Sequence, residues 1–194
     1  MTASVLPPQK AALPAAAIAT ITAAAFLLQG ANGLLQALLP LRMRADGLSI
    51  TEIGAVAAAY GVGFALGCIL APPLVRTVGH IRAYASLAAV SASVVLAFEI
   101  ASGPLAWLVL RGVSGMAIAG LFTVIDSWVS ATATSANRGR VIALYLVATK
   151  IALVLSPLGI GLAPVESAGL LMLMAAAMSL SLIPISATPT KEPR

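Results

Sequence analysis

Long apolar stretches, separated by short breaks rich in charge, glycine or proline, set the pattern of this chain. No Asp, Glu, Lys or Arg occurs between Lys10 and Arg42, between Glu52 and Arg76, or between Glu166 and Lys191. A helix rising about 1.5 Å per residue needs roughly 20 apolar residues to cross the ~30 Å hydrocarbon core of a bilayer. The pattern predicts six such helices, near 16–40, 53–75, 83–101, 105–130, 141–163 and 167–187. The breaks have chemical causes. Asp46-Gly47 lies between the first two runs, Pro72-Pro73 and Gly79 are expected to close the second, Ser102-Gly103-Pro104 the third and Pro164 the fifth. Helix is the regular structure open to these runs, because lipid offers backbone amides no partner. The expected organisation is an N-terminal tail at 1–15, a six-helix transmembrane domain at 16–187 and, at 188–194, a polar tail or the start of a central loop.

Composition agrees with a membrane solvent. Charged residues make up 9% of the chain and hydrophobic ones 60%, with a mean hydropathy of +1.04, whereas a soluble domain carries about 25% charged residues. One set of connections holds Lys10, Arg76, Arg82, Arg138, Arg140, Lys191 and Arg194, and the other holds Arg42 and Arg44. Cationic flanks stay in the cytoplasm, so both termini are expected there. The net charge of +5 follows from that asymmetry and from contact with anionic head groups, and needs no nucleic acid as partner. The first apolar run is too long for the core of a signal peptide and is expected to stay as an anchor. Cys68 stands alone, which leaves neither a disulfide framework nor a Cys-based metal site. There is no Walker loop, no Gly-x-Gly-x-x-Gly fingerprint and no His/Cys cluster, and the one histidine, His80, falls in a connection. Neither enzymatic chemistry nor a cofactor is expected.

The second half of the chain echoes the first. Gln29-Gly30-Ala31-Asn32-Gly33 matches Arg111-Gly112-Val113-Ser114-Gly115, an offset of 111 − 29 = 82. Leu66-Gly67-Cys68-Ile69-Leu70-Ala71-Pro72 matches Leu158-Gly159-Ile160-Gly161-Leu162-Ala163-Pro164, an offset of 158 − 66 = 92. Three helices per unit is an odd number, so the two units enter the membrane in opposite directions. An inverted repeat of this kind is the construction of many secondary transporters.

Arg111, Gly115 and Ala119 reproduce an Arg-x-x-x-Gly-x-x-x-small pattern in the fourth helix, and Arg76-Thr77-Val78-Gly79-His80-Ile81-Arg82 forms a basic loop after the second. In both features the chain resembles the N-terminal half of a major facilitator superfamily transporter, from about residue 20 to 187. The loop departs from the family pattern: Arg76 stands where an acid is usual, Thr77 where a base is usual and Pro72 where the first glycine is expected. With Asp126-Ser127-Trp128 and Asn137-Arg138-Gly139-Arg140, the chain is similar to a bacterial branch of such transporters. The resemblance implies an all-α, six-helix half of a twelve-helix fold, sited in a bacterial plasma membrane and moving a small solute by alternating access. It also implies a second six-helix half as partner, from the same or another chain. A non-transporting membrane scaffold, or a truncated transporter fragment, is the alternative.

Charges inside the spans are the pointers to function, since Lys, Arg or Asp at a helix centre costs about 2.5–3.5 kcal/mol on insertion scales. Arg111 either snorkels to the head groups or faces the cavity that the resemblance places between the first and fourth helices. Gln29, Asn32 and Gln36 fall at i, i+3 and i+7 on one face, lining that cavity or bonding a neighbouring helix. Lys150 lies close to mid-membrane. Together with Arg111 it would favour an anionic substrate, unless both cations meet acids of the second half. The expected substrate-binding set is therefore Arg111, Lys150, Gln29, Asn32 and Gln36. Asp126 falls near the cytoplasmic end, within reach of Arg76, Arg82 and Arg138. The resemblance implies a gating latch there, against simple capping or topology maintenance. Gly63 and Gly67 share a small-x-x-x-small spacing that lets helices approach closely. Ser156-Pro157 is expected to bend the fifth helix, and Trp107, Trp128, Tyr84 and Tyr145 to anchor helix ends at the membrane surface.

Overall fold

A computed structural model describes residues 15–101, 103–133, 137–165 and 167–182. The tails expected at 1–15 and 188–194 lie outside the described residues, apart from Ala15. Within them the chain is helical: α1 Ala15–Ala45, α2 Ile50–Val78, α3 His80–Ile100, α4 Pro104–Thr132, α5 Arg138–Leu155 continued by a 3-10 segment Ser156–Leu162, and α6 Ala168–Leu180. Five of these helices are long and apolar enough to cross a membrane, and α6 is a shorter apolar one.

Three connections turn on glycines with positive φ, Gly47 (84°), Gly79 (85°) and Gly103 (87°), where a Cβ would clash with the backbone. Ser49 opens α2 with a reciprocal cap: Glu52 N–H donates to Ser49 Oγ at 3.3 Å, and Ser49 N–H donates to Glu52 Oε2 at 2.8 Å. The second run does not end at Pro72-Pro73, as expected from the sequence. The helix passes through both prolines to Val78, because leaving it inside lipid would orphan more backbone groups than the two amide protons that proline removes. Pro40 is likewise carried inside α1. At Ser156-Pro157 the expected bend takes the form of a change of winding, from α to 3-10.

The repeat is visible in the packing. The α2–α4 pair forms the most extensive contact, and α1–α5, α3–α4, α3–α6 and α1–α6 follow. Exchanging α1 with α4, α2 with α5 and α3 with α6 turns α2–α4 into α5–α1 and α3–α4 into α6–α1, and leaves α3–α6 unchanged. The correspondence reaches single residues. A Cβ on Gly67 would meet Met116, and one on Gly159 would meet Leu34; 67 + 92 = 159 and 34 + 82 = 116. A Cβ on Gly115 would meet Phe64, and one on Gly33 would meet Ser156; 33 + 82 = 115 and 64 + 92 = 156. The two echoes seen in the sequence thus contain glycines by which helices of one unit touch helices of the other.

Burial is uneven among the spans. The apolar windows of α1 and α4 are 56% buried, while those of α2 and α5 are 17% and 22% buried. The core gathers on α1, α3, α4 and α6 around Leu28, Leu35, Leu38, Tyr84, Phe98, Ile118, Leu121 and Leu171. One long face of α2 and one of α5 remain uncovered.

Candidate functional site

A polar cluster forms where α1, α2 and α4 meet. Arg111 comes from the second turn of α4 and is 4% exposed, so it does not snorkel to the surface. Its guanidinium carbon lies 4.2 Å from the centroid of the Tyr60 ring, a cation–π contact worth about 0.5–2 kcal/mol depending on desolvation. Arg111 Nη2 donates to Gln36 Oε1 at 3.3 Å. The Tyr60 hydroxyl donates to Asn32 Oδ1 at 3.5 Å, a long bond. Arg111 Nη1 and Gln29 Oε1 are buried with no protein partner.

Helical spacing on α1 explains the arrangement: Asn32 and Gln36 share a face one turn apart, and α4 delivers Arg111 to it. The approach is close because the α2–α4 seam is made of glycine. A Cβ on Gly115 would overlap the Tyr60 carbonyl, which sets the Tyr60 backbone directly against α4. Gln36 is exposed and Tyr60 half-buried, so these two side chains lie between the buried cation and the surface. Tyr60 was missed by sequence reasoning. A lone tyrosine in a Gly/Ala-rich helix gives no signal until the register of α2 against α4 is known.

Lys150 is not drawn into this cluster. It is exposed on the outward face of α5, among Leu146, Val147, Ile151, Val154 and Leu155. Of the five residues expected to bind substrate, Arg111, Gln36 and Asn32 are joined through shared contacts, and Gln29 continues their face one turn away.

A second group of polar side chains gathers at the bundle end where α2 and α4 finish and α3 and α5 begin. Tyr145 of α5 donates its hydroxyl to Asp126 Oδ1 at 2.8 Å. His80 Nε2 lies 3.1 Å from Ser127 Oγ, and its ring stacks on Trp128 at 6.1 Å. Tyr84 donates to Ser181 Oγ at 2.9 Å. Arg76, Arg82 and Arg138 are exposed at this end. Among the described residues the ion pair lies instead at the opposite end, where Arg42 Nη2 meets Glu99 Oε2 at 2.8 Å and ties α1 to α3. The aromatic residues expected to anchor at the membrane surface are buried instead: Tyr84 0%, Trp107 3%, Trp128 5% and Tyr145 7% exposed. Each has an interior hydrogen-bond or ring partner, so they act as packing residues between helices.

Comparison with known proteins fits this geometry. A family model of the Major Facilitator Superfamily matches residues 21–194. The chain belongs to the major facilitator superfamily. It is 29% identical over 140 residues to an MFS-type transporter of Enterobacter sp. strain 638, covering 72% of this chain and 37% of that protein. It is 31% identical over 120 residues to the MFS-type transporter YcaD of Escherichia fergusonii, covering 62% of this chain and 31% of YcaD. The chain therefore spans about a third of the length of these superfamily relatives. Among solved structures it is similar to the peptide transporter POT crystallised with sulfate, with a TM-score of 0.76 at 20% identity over 90% of this chain and 38% of that one. At that identity the likeness concerns the fold alone, and the fold is that of half a superfamily transporter. An integral membrane protein of a transporter family is the plain consequence.

Proposed function

We propose that this chain is one half of a secondary transporter that moves a small anionic solute across a bacterial inner membrane by alternating access, with both termini in the cytoplasm. The observation that carries the reading is Arg111. It is a cation buried in an apolar bundle, set over the Tyr60 ring, bonded to Gln36 through Nη2, and left with a buried Nη1 that no protein group satisfies. Gln36 and Asn32, with Gln29 beyond them, supply neutral donors and acceptors along the same helix face. A guanidinium suits this task because its planar fork holds carboxylate or phosphate with defined geometry. We leave Lys150 out of the binding set, since it is exposed where Arg111 is buried. Asp126, Arg76, Arg82 and Arg138 form the cytoplasmic gate in this reading, with Tyr145 holding Asp126 ready to meet an arginine when the halves rock. The second six-helix half closes the path and shields polar groups that lipid would penalise.

The test is a thermal-shift screen of the detergent-purified chain against acetate, benzoate, succinate and inorganic phosphate. At least one of these anions should raise the unfolding temperature, and the Arg111→Gln variant should lose that shift while keeping its own fold. No shift with any anion, or an unchanged shift in Arg111→Gln, would return the chain to the scaffold reading.

A further inference from the structure

Among the described residues, open grooves run beside both α2 and α5, and the repeat relates the positions by which these two helices line them; the α4 wall of the α2 groove has its counterpart on α1, in a separate groove between α1 and α5. On α5, Val147, Lys150, Ile151, Val154 and Leu155 line an open groove of about 450 Å3. Subtracting the offset of 92 from these numbers gives Ala55, Ala58, Ala59, Val62 and Gly63, which line a groove of about 470 Å3 where α2 passes α4. The two helix faces differ in a respect that packing alone does not account for: an exposed ammonium stands on α5 where α2 has a methyl group.

With α5 crossing the bilayer from Arg140, Lys150 stands near mid-depth. It follows Arg140, at the start of α5, by ten residues, or about 15 Å of helix, which is half of the ~30 Å hydrocarbon core. The residues lining the groove beside it are apolar, and an ammonium left there against lipid is costly. The acids of the described chain lie away from Lys150. Glu99 pairs with Arg42, Asp126 accepts from Tyr145, Glu52 caps α2, and Asp46 sits in the turn after α1.

We propose that the Lys150 groove docks a transmembrane helix carrying a carboxylate at the same depth, and that the α2 groove takes an uncharged helix. A single polar position in an otherwise apolar helix interface fixes partner and register at some cost in stability. Here it distinguishes the α5 face from the corresponding α2 face and dictates which partner helix lies on which. This inference rests on α5 crossing the membrane and not on Arg111 binding an anion, so either reading can fail without the other.

The experiment measures energy transfer in phosphatidylcholine vesicles at pH 7.5. The chain is labelled through Asp46→Cys in a Cys68→Ser background. The probes are Leu/Ala transmembrane peptides bearing one central Glu or one central Gln. The Glu peptide should associate with the chain about fivefold or more tightly than the Gln peptide, the factor expected from ~1–2 kcal/mol for a membrane-buried polar contact. Lys150→Gln should abolish the preference, while Lys150→Arg and Arg111→Gln should keep it. Equal association of both peptides, a preference that survives Lys150→Gln, or a preference lost only in Arg111→Gln would overturn the proposal. So would loss of the preference when phosphatidylglycerol replaces part of the phosphatidylcholine, since a lipid phosphate would then be the group that Lys150 binds.

Discussion

Adding one methyl group to α2 distinguishes a glycine needed for contact from one that is not. Gly61 and Gly67 lie on the same apolar helix, six residues apart. A Cβ on Gly61 has nothing within 4 Å, while one on Gly67 would sit 2.5 Å from the Met116 carbonyl oxygen and 2.7 Å from the Ala119 Cβ. Ordinary contact begins near 3.4 Å, so Gly67→Ala demands about 3.4 − 2.5 = 0.9 Å of separation between α2 and α4. Overpacking by a methyl-sized group costs about 1–3 kcal/mol, and alanine returns up to about 1 kcal/mol of helix propensity at either site. The propensity gain cancels when the two variants are compared, so Gly67→Ala should be less stable than Gly61→Ala by about 1–3 kcal/mol. Reversible unfolding in mixed dodecyl maltoside and sodium dodecyl sulfate micelles reads the difference through Trp107 and Trp128, both buried in α4. Coincident midpoints for the two variants would show that α2 and α4 do not approach as described. The placement of Tyr60 over Arg111 would then fall as well.

Three further outcomes follow from the same geometry. Glu99→Gln leaves Arg42 buried without its charge partner and should cost about 1–2 kcal/mol, a figure reduced for the partial exposure of Glu99; joint replacement of both residues by leucine should recover part of the loss in the same unfolding assay. Arg111→Lys keeps the charge but loses the planar donor fork and the guanidinium's contact over Tyr60, so the anion-dependent thermal shift should shrink at least severalfold even though the site remains cationic. In a Cys68→Ser background, cysteines replacing His80 and Arg138 should react with a membrane-impermeant maleimide from the same side of the bilayer, and a cysteine replacing Asp46 from the other; labelling of positions 80 and 138 from opposite sides would contradict the helix count between them.

The helices were legible because lipid imposes one rule on every span, and charge-free runs as long as these match the thickness of a bilayer. Their ends were less so. Pro72-Pro73 reads as a stop by rules calibrated in water, where a broken helix can hydrate its freed carbonyls, and in a membrane the helix passes through. The echo around Gly67 and Gly159 was readable since close backbone contact leaves glycine as its trace. The Arg111 site was half legible. Its charged and amide members stand out against an apolar background, whereas Tyr60 and the separation of Lys150 depend on the rotation of α2 and α5, which sequences apolar on nearly every side do not encode. The buried aromatic residues were misjudged for a related reason. Position near a helix end does not say which way a ring points, and hydrogen bonds to Ser181, Asp126 and the Ala101 carbonyl draw Tyr84, Tyr145 and Trp107 inward.

The 3-10 stretch at Ser156–Leu162 changes how α5 meets α1. At three residues per turn, side chains at i and i+3 eclipse, so Ser156 and Gly159 stand in one straight row. That row faces α1, where Ser156 opposes Gly33 and Gly159 opposes Leu34. A straight row offers no oblique groove for a displaced side chain to turn into, so bulk added at Gly33 or Gly159 would press α1 and α5 directly apart.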